Sequence, residues 1–267
     1  MTISVRSLTF GYDDLPLFDN VSIDLHSSKD NRPLVILGAS GCGKSTFLKL
    51  LAGLLKPQSG CISPCKTSFM FQESRLLPWL TVLENVSLPL EKIFGKGAAQ
   101  TLAHSFQRRC YTRIDQGKAE AQTLARSFLS RVFLDDKAHC YPHELSGGQA
   151  QRVSMARAFA FPSPVLLMDE PFQSLDIPLR INLMDICLAL NNEDSENPYQ
   201  SRRLVIAVTH DPREAIYLGG RILVLGKAGV GFVYDTTVDL PQSKRSYGSS
   251  PELEQELIEH IRQSAAS

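Results

Sequence analysis

Residues 3–10 (ISVRSLTF) and 21–25 (VSIDL) alternate apolar and polar side chains, the period-two pattern of strands that bury one face. The segment between them, GYDDLP (11–16), is rich in turn formers and predicts antiparallel pairing of the two strands. Farther along, PLVILG (33–38) is a continuous apolar run ending in glycine, and KSTFLKLLAGLL (44–55) after it has helical spacing. VLLMDE (165–170), LVIAVTH (204–210) and RILVLG (221–226) read as buried strands, and parallel sheets favour such unbroken apolar runs. Helical patterns separate the first two of these. The chain is therefore expected to hold an α/β core with an antiparallel β layer on its N-terminal side.

Between about residue 80 and residue 145 the pattern changes. AEAQTLARSFLSRVFL (119–134) carries Leu124, Phe128, Leu129 and Val132 at helical spacing, with no strand-like run nearby. A mostly helical subdomain, about 80–160, is expected as an insertion in a single domain spanning 1–240. NNEDSENPYQSRR (191–203) reads as a polar surface loop. The tail, 241–267, begins with PQSKRSYGSS; Pro251 then starts an amphipathic helix with Leu253, Leu257, Ile258 and Ile261 on one face.

Composition narrows the partners. Its 28 basic and 28 acidic residues cancel, which argues against nucleic acid as the main partner, since duplex binders carry a basic excess. HSFQRRCYTRIDQGK (104–118) is basic and aromatic, but a solvated helix face or loop explains it better in a neutral chain. The N-terminal MTISVRSLTFGY lacks the apolar run of a signal peptide, and no run of eighteen apolar residues could span a bilayer. A soluble, cytoplasmic protein is expected. Cys61 and Cys65 form C-x3-C, but no second pair follows at zinc spacing and Pro64 makes the segment look like a turn, so reduced thiols are expected.

The chemistry begins at Gly38-Ala39-Ser40-Gly41-Cys42-Gly43-Lys44-Ser45-Thr46, which fits G-x-x-x-x-G-K-[ST] at every fixed position and sits between a strand and a helix. Glycines let backbone N–H groups converge on a β-phosphate, and the helix N-terminus adds a favourable dipole. Lys44 supplies a cation to the β- and γ-phosphates, and the Ser45 hydroxyl is a ligand for Mg2+. Asp169 and Glu170 end an apolar strand. Asp169 is placed to hold Mg2+ through its water shell, and Glu170 to polarise the attacking water. The plain alternative is an Asp-Glu pair starting a turn before Pro171. A further phosphate-binding turn is written at 145–149, LSGGQ, where Ser146-Gly147-Gly148-Gln149 opens a helical stretch a hundred residues past the first.

The phosphate loop, LSGGQ, the Asp-Glu strand end and Thr209-His210 occur in the order found in ATP-binding cassette ATPases, and the chain resembles that family over nearly its whole length. The resemblance implies a phosphate-loop NTPase core with a RecA-like parallel sheet and ATP and Mg2+ as cofactors. It implies that Tyr12 stacks on adenine, that Gln72 reaches Mg2+ and the attacking water, and that His210 contacts the γ-phosphate. Read alone, Tyr12 is equally a strand-end aromatic, Gln72 a surface polar residue and His210 a structural histidine. His26, His104, His139, His143 and His260 have no supporting context. The resemblance also explains the second cradle. Two subunits pack head to tail, Ser146 to Gln149 of one close over the ATP held by the other, and Ser174-Leu175-Asp176 crosses to the partner.

ESRLLPWLTVLENVSLPL (73–90) is unusually apolar, and Leu76, Leu77 and Trp79 are candidates for a partner-helix socket; subdomain core packing is the alternative. This stretch and the tail resemble those of importer ATPases for nitrate, sulfonates, taurine and thiamine precursors. That resemblance implies two transmembrane permease subunits, a substrate-binding protein, and a peripheral place on the cytoplasmic face of the inner membrane. Ala150 and Gln173 depart from the family pattern, and 92–118 is roughly a dozen residues longer than its motif spacing requires. A soluble single-cassette ATPase of the iron–sulfur assembly type is the competing reading. A phosphate-loop kinase would leave LSGGQ unexplained.

Overall fold

The computed structural model describes residues 2–13, 15–28, 30–95, 113–173, 175–192, 203–240 and 245–266. The chain divides into two units, residues 1–72 with 163–267, and residues 73–162. Much of the long 92–118 segment, including most of its basic aromatic run, lies outside the described residues, as does Ser174.

In the first unit, β1 (Thr2–Tyr12) and β2 (Leu15–His26) pair antiparallel, with Thr2 opposite His26 and Tyr12 opposite Leu15. β4 (Ser59–Ile62) adds to the other side of β1, making a three-stranded layer ordered β2-β1-β4. A second sheet runs β5-β6-β7-β3-β8-β9 from β3 (Leu34–Leu37), β5 (Thr67–Met70), β6 (Val165–Asp169), β7 (Leu204–Thr209), β8 (Arg221–Leu225) and β9 (Phe232–Thr237). Every pair in it is parallel except β8 with β9. The unbroken apolar runs are buried at every position of β3, β6, β7 and β8, as strands covered on both faces must be. Ile3, Val5 and Leu8 of β1 share one buried core with Ile36, Phe47 and Leu167, which joins the antiparallel layer to the parallel sheet.

Helix α1 (Lys44–Leu51) follows β3 directly. It stops short of the apolar pattern's end because Gly53 adopts φ 69° and turns the chain, with Leu54 N–H closing on Lys49 O at 2.9 Å. Helices α5 (Ile177–Asn192), α6 (Pro212–Leu218) and α7 (Pro251–Ala266) complete this unit. Cys61 lies in β4 and Cys65 in the segment between β4 and β5, and both thiols are free.

The second unit packs α2 (Val82–Gly95), α3 (Arg113–Arg131) and α4 (Gly147–Ala160) against one another. Thr81 caps α2: its hydroxyl accepts from Glu84 N–H at 3.3 Å while the Glu84 carboxylate accepts from Thr81 N–H at 2.8 Å. The Thr81 N–H and, at 2.9 Å, the Thr81 hydroxyl both donate to the Glu84 carboxylate and hold it below the usual range. On α3 the buried face is Ala121, Ala125, Phe128 and Leu129, with Val132 following; Leu124 is only half-buried, because the two alanines take the position nearest the core.

Candidate active site

Parallel register sets the site. Met70 lies opposite Met168, Asp169 opposite Val208, and Leu37 opposite Thr209. Side chains just past these positions, Gln72, Glu170, His210 and the glycine loop after Leu37, therefore emerge along one edge at the carboxyl ends of four adjacent strands. In an open parallel sheet that edge is where ligands bind.

The glycine loop is shaped by two left-handed residues, Gly41 at φ 79° and Gly43 at φ 105°. A Cβ on Gly43 would lie 2.9 Å from Leu17 Cδ2, and one on Gly38 would lie 2.8 Å from Leu225 O. Gly43 begins α1 without a side-chain cap, and the first turn carries no acid. Phe47 N–H reaches Gly43 O at 2.8 Å, so the N–H groups of Lys44, Ser45 and Thr46 precede the helical ladder and point out of it. Donors without intrahelical acceptors, beside a buried ammonium, fit an oligophosphate. Lys44 Nζ is held by Gly38 O at 3.0 Å and Ala39 O at 2.9 Å, and lies 3.7 Å from Glu170 Oε1. Cys42 is buried, and burial pushes its thiol up, which makes it inert packing rather than a nucleophile.

Ser45 Oγ donates to Asp169 Oδ1 at 2.7 Å, joining the two predicted metal ligands. A hydroxyl and a carboxylate in contact are an all-oxygen donor pair of the kind Mg2+ takes. Burial pushes the Asp169 carboxyl above its ordinary range, against the Ser45 hydrogen bond, and the neighbouring Glu170 charge pushes the same way. Glu170 sits in the left-handed region at φ 43°, uncommon for a non-glycine residue, its N–H tied to Val208 O at 3.1 Å. That backbone aims its carboxylate between Lys44 on one oxygen and His210 Nδ1, 3.1 Å from the other. Gln72 Nε2 donates to Gln173 Oε1, so the glutamine that departs from the family pattern meets the predicted metal-contacting glutamine. Tyr12 is half exposed; its hydroxyl lies 3.4 Å from Thr46 Oγ1 and its ring meets Phe10 edge-on. Asp176 is exposed, and its carbonyl accepts from Arg180 N–H at 2.9 Å at the start of α5.

The second unit holds the other predicted residues. Ser146 caps α4: its hydroxyl accepts from Gln149 N–H at 3.3 Å, and Gln149 Oε1 accepts from Ser146 N–H at 2.9 Å. Ser146 and Gly147 are exposed, and a Cβ on Gly147 would meet nothing within 4 Å. Leu76 and Leu77 are half-buried, while Trp79 is 69% exposed and so not part of a core. Sequence reasoning passed over Asn85, which is buried and fastens this loop. Its side chain accepts from Leu77 N–H at 2.8 Å and donates to the carbonyls of Leu77, Leu80 and Thr81. The T-x-x-E cap at Thr81 was the available signal that a fixed turn precedes α2.

The ABC transporter family model matches residues 18–173. The chain is similar to the aliphatic sulfonates import ATP-binding protein SsuB 1 of Paracoccus denitrificans (strain Pd 1222), with 35% identity over 255 residues covering 94% of this chain and 89% of that one. It is similar to the SsuB protein of the same description from Corynebacterium glutamicum, with 35% identity over 260 residues covering 97% and 93%. Among solved structures, a dimeric bacterial ABC transporter cassette, MJ0796, superposes with TM-score 0.66 at 29% identity, covering 90% of this chain and 100% of that one. A dimeric post-hydrolysis state of MJ0796 bound to ADP and Pi gives TM-score 0.66 at 27% identity, with 90% and 100% covered.

Proposed function

The chain belongs to the ABC transporter family, and from that premise we propose that it is the ATP-hydrolysing subunit of an importer for a small organic or oxyanion solute, a sulfonate in the first instance. The sulfonate assignment follows the relatives, which are sulfonate import ATP-binding proteins. The same relatives favour the importer over the soluble assembly reading.

One observation carries the hydrolytic part: at one sheet edge Ser45 meets Asp169 at 2.7 Å while the neighbouring Glu170 lies between Lys44 at 3.7 Å and His210 at 3.1 Å. ATP phosphates lie on the N–H groups that open α1, and Lys44 shifts from the loop carbonyls to the γ-phosphate oxygens. Glu170 takes the proton of the attacking water, its carboxylate steadied by His210, which faces the γ-phosphate. Ser45 and Asp169, with Gln72, are the residues that would hold Mg2+, which when bound would offset the negative charge that develops on the phosphates.

The motion follows from the second cradle. Ser146 and Gly147 present a capped, exposed helix start, and the open space at Gly147 leaves that glycine without a packing role in its own chain. Two copies joined head to tail bring Ser146 and Gly148 of this turn over the partner's γ-phosphate, with the 174–176 loop crossing between them. Loss of the γ-phosphate removes the contact and the pair opens. The exposed Trp79 with Leu76 and Leu77 receives a permease helix and transmits that opening. A peripheral position on the membrane belongs to this reading and is supported by the relatives, which are import ATP-binding proteins; a binding protein delivers the solute to two permease subunits.

Lys44→Ala tests the hydrolytic core. Removal of one preorganised charge on the transferring phosphoryl group costs about 10²–10³ in turnover. ATPase activity near the parent's would overturn the assignment.

A further inference from the structure

The residues on either side of His210 are tied into a charged network that ends in the C-terminal segment. Thr209 Oγ1 donates to Glu214 Oε2, and Glu214 is buried. Asp211 caps α6, its Oδ1 accepting from Arg213 N–H at 2.8 Å. Its other oxygen accepts from the Tyr247 hydroxyl at 2.7 Å and from Arg180 Nη1 at 3.1 Å. The same Arg180 nitrogen donates to the Tyr247 oxygen at 3.1 Å and lies 3.3 Å from Glu214 Oε1. Arg180 also grips the loop before α5, donating from Nη2 to Leu175 O at 3.0 Å and from its N–H to Asp176 O at 2.9 Å. Two residues before Tyr247 the segment is anchored by Arg245, which is buried and donates to Ile216 O, Gly219 O and Val238 O at 2.6 to 2.8 Å.

From this juxtaposition we infer that Tyr247 is a positioning residue for hydrolysis. Its hydroxyl bridges Asp211 and Arg180 and so fixes, in one cluster, the backbone that carries His210 and the loop that carries Asp176. The inference rests on the ATPase reading above. A hydroxyl suits the place because it accepts from the guanidinium and donates to the carboxylate at once, adding a second link beside the direct Arg180–Asp211 contact. Burial, and the hydrogen bond to Asp211, push the phenol up to about 12, so it stays a donor at any working pH. The Tyr247 hydroxyl makes its hydrogen bonds to Asp211 and Arg180, and it acts through those two side chains. Its loss therefore leaves the glycine loop's grip on ATP intact while loosening the placement of His210, and misplacement by a fraction of an ångström costs rate rather than binding.

The test compares parent, Tyr247→Phe, Asp211→Asn and the double variant by ATP turnover over a range of ATP concentrations, with melting temperatures alongside. Asn caps a helix as well as Asp, so Asp211→Asn removes the charge and spares α6. Each single variant is expected to lose about tenfold in kcat with KM for ATP within about twofold. The double variant should lose no more than the worse single, since groups acting as one unit are not additive. Turnover of both single variants within about twofold of the parent, a lowered melting temperature with kcat unchanged, or additive losses would overturn the inference. A parent with no ATP turnover would overturn the ATPase reading first, and this inference with it. Tyr247→Phe removes a single oxygen from a half-buried site; should it still fail to fold, the Asp211→Asn result alone decides.

Discussion

Asp169→Asn should make the ligand-free protein more stable while abolishing its turnover. Asp169 is 6% exposed, and burial together with the Glu170 charge pushes its carboxyl above the ordinary value. The sign follows from that direction. A carboxyl whose folded value is raised binds protons more readily folded than unfolded, so its stability is full below the unfolded value and is lost as pH rises through the folded one. At neutral pH the ionised Asp169 is a cost. Asparagine removes that charge yet keeps an oxygen to accept the Ser45 hydrogen bond, now 2.7 Å long. Relief of a functional-site strain of this kind is worth about 0.5–2 kcal/mol, which for a domain this size is roughly 2–6 °C in melting temperature. Urea unfolding from pH 5 to pH 8 reads it out. The variant's advantage should be smallest at the acid end, where the parent carboxyl is closest to protonated, and should grow with pH. Saturating Mg-ATP should reverse the order, because ligand at a hundred times its Kd adds about 2.7 kcal/mol to the protein that binds it. An Asn variant less stable than the parent at pH 7.5, or an advantage independent of pH, would refute the electrostatic argument.

Gly43→Ala places a side chain at φ 105° with its Cβ 2.9 Å from Leu17 Cδ2. The backbone penalty of about 1–2 kcal/mol and overpacking of about 1–3 kcal/mol predict a loss of several kcal/mol, readable as a lower urea midpoint; a midpoint within error of the parent's would sink the steric account. Trp79→Ala should change stability by less than about 0.5 kcal/mol and leave turnover of the free chain intact, because the ring is exposed. Uptake reconstituted with a permease should fail; collapse of turnover in the free chain would show that the indole supports the fold.

What was legible in the sequence was local. A glycine loop between an apolar strand and a helix carries its own phosphate geometry, and four unbroken apolar runs announce buried strands whatever surrounds them. The N-terminal hairpin was equally plain, because alternation and a turn lie within the same stretch. β4 was missed because SGCI is largely exposed and has no apolar run to mark it. β9 does alternate, but it is an edge strand, stabilised by pairing to β8 rather than by its own burial. Within the site, the residue types were legible and their pairings were not. No local pattern joins Gln72 to Gln173, or Arg180 to Tyr247 across 67 residues of chain. The left-handed backbone at Glu170 was hidden for a different reason: it is imposed by the register of β6 on β7, and glutamate has no preference for it.

The central claim is that ATP joins two copies of this chain and that Glu170 dissolves the joint. Glu170→Gln keeps the size of the side chain and its reach to His210 but removes the charge that takes the water's proton. Light scattering on a sizing column, with Mg-ATP in the buffer, measures the mass of that variant. The account predicts twice the monomer mass with ATP and the monomer mass with ADP. A variant that binds ATP and still elutes as a monomer would contradict it.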